Sequence, residues 1–230
     1  MSNTTYMMEP KPKIVVESFI FFTVLFGHMK VSLTASKGLS QLQAKNWKRD
    51  MSMIVRPIVI VSTISREGIP NATLKTNFMV VSALEEVAFG CFPEHDTHRN
   101  VIETGEFVVN VPSEEIVGQA MVTAVDFPHN VNEIEKAGLT AIPSEKVKPP
   151  RMKECKLHLE CRLKWRKETI IVGEVVAASA DEDLIQGTAE ERQMKLGQMF
   201  LVGARVYGKI GDIRELPLRI LEKHEREMRK

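Results

Sequence analysis

Apolar and polar positions along the chain fall into short runs with the signature of strands. Ile58 to Ile64 is rich in β-branched residues, and Arg66-Glu67-Gly68 supplies turn chemistry before Ile69-Pro70-Asn71. A second extended run follows from about Ala72 to Ala83, a third from Val87 to Phe92 and a fourth from Phe107 to Val111. Between the last two, Asp96 or Thr97 stands where a helix to Thr104 would be capped, and Gly105 where it would stop. After Pro112, Ser113 followed by Glu114 and Glu115 opens a second helix, the acids suiting the positive end of its dipole. A third, about Asn132 to Ala137, stops at Gly138, and Val147 to Arg151 is a stiff, proline-bearing connector.

Strands at about Lys156 to Trp165 and Thr169 to Ala178 come next. A helix from Thr188 to Leu196, a strand from Met199 to Tyr207 and a charged tail helix from Glu215 to Lys230 complete the chain, with Pro217 near the tail helix's first turn. Short strands, one helical excursion and strands again predict a mainly β domain with peripheral helices, centred on a barrel. An alternating α/β sandwich would need a helix after nearly every strand.

Residues 1–50 break this pattern. Ile14 to Phe26 is apolar but interrupted by Glu17, Ser18 and Thr23, and it is shorter than the ~20 apolar residues of a membrane span. Lys11 and Lys13 precede it as in a signal peptide, yet the small-residue cleavage pattern is missing from TVLFGHMK. The expectation is an N-terminal extension over 1–50, with 1–28 accessory or non-native and Met29 a second start. A barrel domain over 51–210 and a tail over 211–230 follow it.

The 230 residues, 43% of them hydrophobic, suffice for one domain with a real core. A net charge of +1 gives no reason to expect nucleic acid or an anionic membrane as partner, so any anion site must be local. Three cysteines without paired spacing fit a reducing cytoplasm. Cys155, His158 and Cys161 form C-x2-H-x2-C, but the period-two alternation from Lys156 to Trp165 turns His158 away from the cysteines. No metal site is expected, and the thiols read as small buried hydrophobes.

Two polar clusters each follow an apolar run: Thr76-Asn77, and His95-Asp96-Thr97-His98-Arg99-Asn100. The second opens a helix, whose N-terminus offers unpaired N–H groups and a partial positive charge to a phosphate. Thr97 can add a hydroxyl, Arg99 a guanidinium fork, and His95 or His98 a ring N–H. Thr76 and Asn77 add donors if strand pairing brings them alongside. On the residues alone a second reading stands, in which Asp96 and Thr97 merely cap the helix and Arg99 is solvated. Asp126 and His129 suggest an acid–base pair, but a loop position favours solvated side chains.

The order RPIVIVSTIS, G-x-PNA over Gly68 to Ala72, Thr76-Asn77-Phe78 and DTHRNVIETGEFVVN over Asp96 to Asn110 resembles the flavin reductase-like, FMN-binding split-barrel family. The likeness runs on through DFPHNVNEIEKAGLTAIPSEKVKPPRM, LHLECRL and VGEVVAA to about Asp183. The resemblance implies a six-stranded Greek-key split barrel, a homodimer, and FMN in a groove near the subunit interface. It implies that Thr76 and Asn77 contact the flavin with Phe78 packed nearby, and that Thr97, Arg99 and the position of His95 hold the phosphate; His98, which stands where relatives commonly carry an apolar residue, is counted with them as a candidate. Relatives often carry lysine where His95 stands, and an imidazole is the weaker cation near neutral pH. Phe127-Pro128 falls in a segment that comes close to the flavin ring in relatives.

The activity implied is an NAD(P)H-dependent flavin reductase, serving a flavin-dependent monooxygenase or a redox protein. The alternative is a flavoredoxin-like carrier that takes electrons from another protein. No catalytic side chain is assigned, because in such enzymes the cofactor does the hard step. The sequence has no G-x-G-x-x-G turn for a Rossmann domain, so NAD(P)H would bind transiently over the exposed flavin face.

Overall fold

A computed structural model describes residues 54–82, 85–129, 131–203 and 206–214, all within one compact unit. The expectations for residues 1–50 and for the tail helix lie outside the described residues. In chain order the strands are β1 (Arg56–Pro57), β2 (Val59–Ile64), β3 (Pro70–Lys75), β4 (Phe78–Ser82), β5 (Glu86–Gly90) and β6 (Glu106–Val111). They continue with β7 (Ala141–Ile142), β8 (Arg151–Met152), β9 (Leu157–Lys167), β10 (Ile170–Ala180), β11 (Met199–Leu201) and β12 (Tyr207–Lys209). The helices are α1 (Asp96–Thr104), α2 (Val117–Val122), α3 (Glu133–Lys136), α4 (Glu182–Ile185) and α5 (Ala189–Leu196).

The main sheet is antiparallel, in the order β3-β2-β6-β9-β10-β5-β4. Its two edge strands, β3 and β4, are separated in sequence only by Thr76 and Asn77. Two residues span less than about 10 Å even when extended, so the edges must meet there and the sheet must curl into a barrel. The extended run expected from Ala72 to Ala83 is therefore two strands bent at a corner. Counting them as one gives the six strands of a split barrel, the expected fold.

The interior is filled from alternate positions. Val59, Val61, Phe89, Phe107, Val109 and Cys161 belong to one buried cluster. Ile60 and Ala72 face the other way, onto Ile116, Ala120, Ile134 and Met152. Both faces of β2 are thus buried, which is why its sequence reads as a continuous apolar run rather than an alternation. The same holds at the start of β9. His158 is buried and bonds the Met152 carbonyl (2.9 Å) and Ser179 Oγ (3.3 Å). Glu160, 1% exposed, accepts the backbone N–H groups of Glu145 and Lys146. All three cysteines are free and buried, and burial pushes the Cys155 and Cys161 thiols up. Among the described residues no group of three or more His, Cys, Asp or Glu side chains could hold a metal ion.

Two local expectations are corrected. The strand expected from Met199 to Tyr207 is a hairpin, β11 against β12, closed by Val202 N–H donating to the Val206 carbonyl at 2.8 Å. At α1 the N-cap residue is His95, without a side-chain cap bond, so Asp96 and Thr97 are the first helical residues rather than caps. Gly105 ends α1 in the left-handed region (φ 73°), where glycine has no Cβ penalty.

Candidate functional site

The corner between β3 and β4 is one half of the site. Thr76 is half-buried and Asn77 exposed, while Phe78 packs against the interior cluster. The Asn77 carbonyl accepts the Gly90 N–H at 3.3 Å, and its side chain lies over Gly90. A Cβ on Gly90 would come within 2.3 Å of Asn77 Nδ2, so the absence of a side chain there gives the amide its seat.

The first turn of α1 is the other half. The buried face of α1 carries Thr97 and Asn100 beside the core residue Val101, so α1 docks on β2 and β3 through hydrogen bonds as well as apolar packing. Thr97 is fully buried, with Oγ1 2.8 Å from Thr73 Oγ1 and 3.0 Å from Asn71 Oδ1. Asn100 Nδ2 donates to Thr63 Oγ1 at 3.0 Å, and Thr63 Oγ1 donates to Asn71 Oδ1 at 3.2 Å. Asn71 Nδ2 in turn donates to Glu133 Oε2 at 2.7 Å, and that oxygen also accepts the Ala72 N–H at 2.9 Å. Burial first, and then the Asp96 and Asp126 carboxylates, raise the Glu133 carboxyl to about 7 against the pull of the Ala72 N–H.

Arg99 lies on the outer side of the same turn. Its Nη1 donates to Asp96 Oδ1 at 3.2 Å, and His129 Nδ1 bonds the same oxygen. An ionised carboxylate can only accept, so Nδ1 carries the proton. Nη1 and Nη2 each sit 3.3 Å from a different ring nitrogen of His129. With Nδ1 protonated, Nε2 is the ring nitrogen left to accept, so the bond runs from Arg99 Nη2 to His129 Nε2. This group lines a surface cavity of about 410 Å³ with Ser65, Asn71 and Asn100. His129, with a side chain more than half exposed, pairs with Asp96 and not with Asp126.

Along β3 the alternation that turns Asn71 and Thr73 toward α1 also turns Lys75 that way. Lys75 is 8% exposed, and its Nζ donates to Cys91 Sγ at 3.4 Å. The thiol is pushed up by burial and drawn down by Lys75 and, more weakly, by the nearby backbone N–H of His98, which itself donates to the His95 carbonyl at 3.1 Å in the first turn of α1. His98 is buried, and its Nε2 has no hydrogen-bond partner among the described residues. His95, half-buried, stands 6.1 Å from the ring of Phe92.

The structure therefore brings Thr97 and His98 beneath the first turn, leaves His95 at its mouth and sends Arg99 to the outer cavity. Thr76, Asn77 and Phe78 sit at the corner that follows Lys75. Sequence reasoning passed over Asn71, Thr73, Lys75 and Glu133. The signal for three of them was there, since Asn71, Thr73 and Lys75 are polar at every second position of an otherwise apolar strand.

Residues 51–195 match the family model of the flavin reductase like domain. The chain belongs to the flavin reductase-like family. An uncharacterised protein of Aquifex aeolicus is 35% identical over 167 residues, covering 68% of this chain and 85% of the relative. Among solved structures, nitrilotriacetate monooxygenase component B from Bacillus cereus superposes with a TM-score of 0.71 at 27% identity, over 81% of this chain and 100% of that one. Flavoredoxin of Desulfovibrio vulgaris shares the fold, with a TM-score of 0.64 at 21% identity over 71% and 91% of the two chains. The β3–β4 corner and the first turn of α1 both lie inside the matched family segment. Among the described residues no helix is long and apolar enough to cross a membrane.

Proposed function

We propose that this flavin reductase-like chain binds FMN at the β3–β4 corner and the first turn of α1, and acts as an NAD(P)H-dependent flavin reductase. The observation that carries the reading is a cluster of polar groups at one helix end: the Asp96 and Thr97 N–H groups that open the helix, the Nε2 of buried His98, without a hydrogen-bond partner among the described residues, and the buried ammonium of Lys75, which meets only a thiol there. Such a set suits a phosphate. When bound, FMN supplies the hydride-accepting ring. The chain's own part is to seat the ring against Thr76, Asn77 and Phe78, and to hold the phosphate with His95, His98 and Arg99 around a first turn that buried Thr97 ties to the sheet. No side chain needs to act as acid or base.

A second copy of the chain is the proposed partner at β4. Met79, Val80 and Val81 are 58%, 43% and 44% exposed on this edge strand, a surface that favours association. A flavin-dependent monooxygenase is the proposed acceptor, by likeness to the Bacillus cereus component, and the free buried thiols fit the cytoplasm. The test is an absorption spectrum of purified protein with FMN, repeated after anaerobic NADH or NADPH. Bound flavin that bleaches supports the reductase. Bound flavin that does not bleach assigns the flavoredoxin-like carrier role instead, and no uptake at micromolar FMN removes both.

A further inference from the structure

Two cations flank the first turn of α1, and their surroundings differ. Arg99 is 42% exposed at the side chain and already matched by Asp96. Lys75 is more than nine-tenths buried, and its hydrogen-bond partner among the described residues is a thiol. The carboxylate that feels its charge, Glu133, spends its bonding oxygen on Asn71 and Ala72. Taking an ammonium out of water is costly unless a counter-charge meets it. A thiol raised by burial is a poor counter-charge.

The neighbourhood adds further demand for an anion. Cys91 Sγ accepts from Lys75 Nζ and lies near the backbone N–H of His98, which sets the ammonium toward the positive end of α1. α1 runs for nine residues, enough for its dipole to count. Within this turn the buried imidazole of His98 keeps an unpartnered Nε2. Thr73, one step back along the same face of β3, holds a half-buried hydroxyl against Thr97.

We infer that Lys75 is the principal charge partner of a phosphate monoester at the first turn of α1, exchanging the Cys91 thiol for the phosphate when ligand binds. The inference rests on the FMN reading above and assigns its phosphate to Lys75, a residue outside the set the family resemblance supplied. Arg99, already ion-paired, takes the lesser share. Lys75 touches ligand and takes no part in hydride transfer.

The test uses the full-length protein, wild type and Lys75→Met, titrated with FMN and with riboflavin by flavin fluorescence and melted with and without inorganic phosphate. Lys75→Met is expected to weaken FMN about tenfold or more, the scale of one charge-assisted bond, and to leave riboflavin unchanged. Phosphate should raise the melting temperature of the wild type and not of the variant. Without ligand the variant should melt no lower than the wild type, because an apolar chain replaces a buried cation. Lys75→Arg should retain the preference for FMN over riboflavin. Unchanged FMN affinity in Lys75→Met, an equal loss for both flavins, or a variant that melts well below the wild type overturns the assignment. If the wild type binds neither flavin, the FMN reading fails and the phosphate melts still decide: stabilisation lost with the charge supports Lys75, and equal or absent stabilisation refutes it.

Discussion

Glu133 sets the direction of the Thr97 hydroxyl without touching it. Asn71 stands between them, and its Nδ2 must face the Glu133 carboxylate at 2.7 Å, so its Oδ1 is turned to accept from Thr97 at 3.0 Å. The single Thr97 proton is thereby spent, and the 2.8 Å contact with Thr73 runs with Thr73 as donor. A ligand at the first turn of α1 meets the Thr73 hydroxyl, which can turn outward, more readily than the buried Thr97.

The Glu133 carboxyl gives the fold a pH dependence. Raised to about 7 by burial, it keeps in the folded state a proton that the unfolded chain loses near the ordinary carboxyl value of 4.5. Its contribution to stability is full below 4.5 and is lost as pH rises through about 7. Thermal melts across that window should show a falling melting temperature. Glu133→Gln can offer one oxygen to both Asn71 and Ala72 and should flatten the slope while still folding. A slope that persists in the variant assigns the dependence to another group.

Thr97→Val tests whether this hydroxyl is structural. The change is nearly isosteric and leaves Asn71 Oδ1 with Thr63 as its remaining donor. Denaturant unfolding should show a loss of about 1–3 kcal/mol, because the hydroxyl's bonds to Asn71 and Thr73 both go. FMN affinity should change far less than in Lys75→Met. A large loss of FMN at unchanged stability would make Thr97 a direct ligand.

How much of this was legible in the sequence follows from what side-chain order encodes. The strands of the barrel, the helix beginning at Asp96 and its glycine stop were readable because local patterning specifies them. The corner at Thr76-Asn77 was not, since no local signal says that one extended run supplies both edges of a curled sheet. The polar cluster from His95 to Asn100 was read as facing one ligand, yet a helix splits it at every third or fourth residue. Thr97 and Asn100 go to the sheet, and Asp96 and Arg99 to the outer cavity. Lys75 was missed because a lone lysine in a strand reads as solvent-facing.

Gly90 and Gly173 separate site from scaffold. A Cβ on Gly173 would lie 2.3 Å from Cζ of Phe107, a fully buried ring packed edge-on to Phe89 at 5.2 Å. Gly173→Ala should cost about 1–3 kcal/mol of stability, the range for overpacking a core. A Cβ on Gly90 meets the end of the exposed Asn77 side chain, which can swing away cheaply. Gly90→Ala should therefore melt near the wild type and weaken FMN and riboflavin alike, because it displaces a group at the ring and leaves the phosphate end alone. Unchanged binding of both flavins in Gly90→Ala removes Asn77 from the site.

Arg99→Ala completes the comparison with Lys75. Removing the guanidinium breaks its bonds to Asp96 and His129, both at the protein surface, where such contacts contribute about 0–1 kcal/mol. Stability should barely move. FMN affinity should fall a few-fold, about 0.5–1 kcal/mol, because the charge is already matched by Asp96 and must leave it to meet a phosphate. Fluorescence titration of Arg99→Ala beside Lys75→Met measures the division directly. A loss at Arg99 equal to or greater than that at Lys75 would move the phosphate to the outer cavity, beside Ser65 and His129.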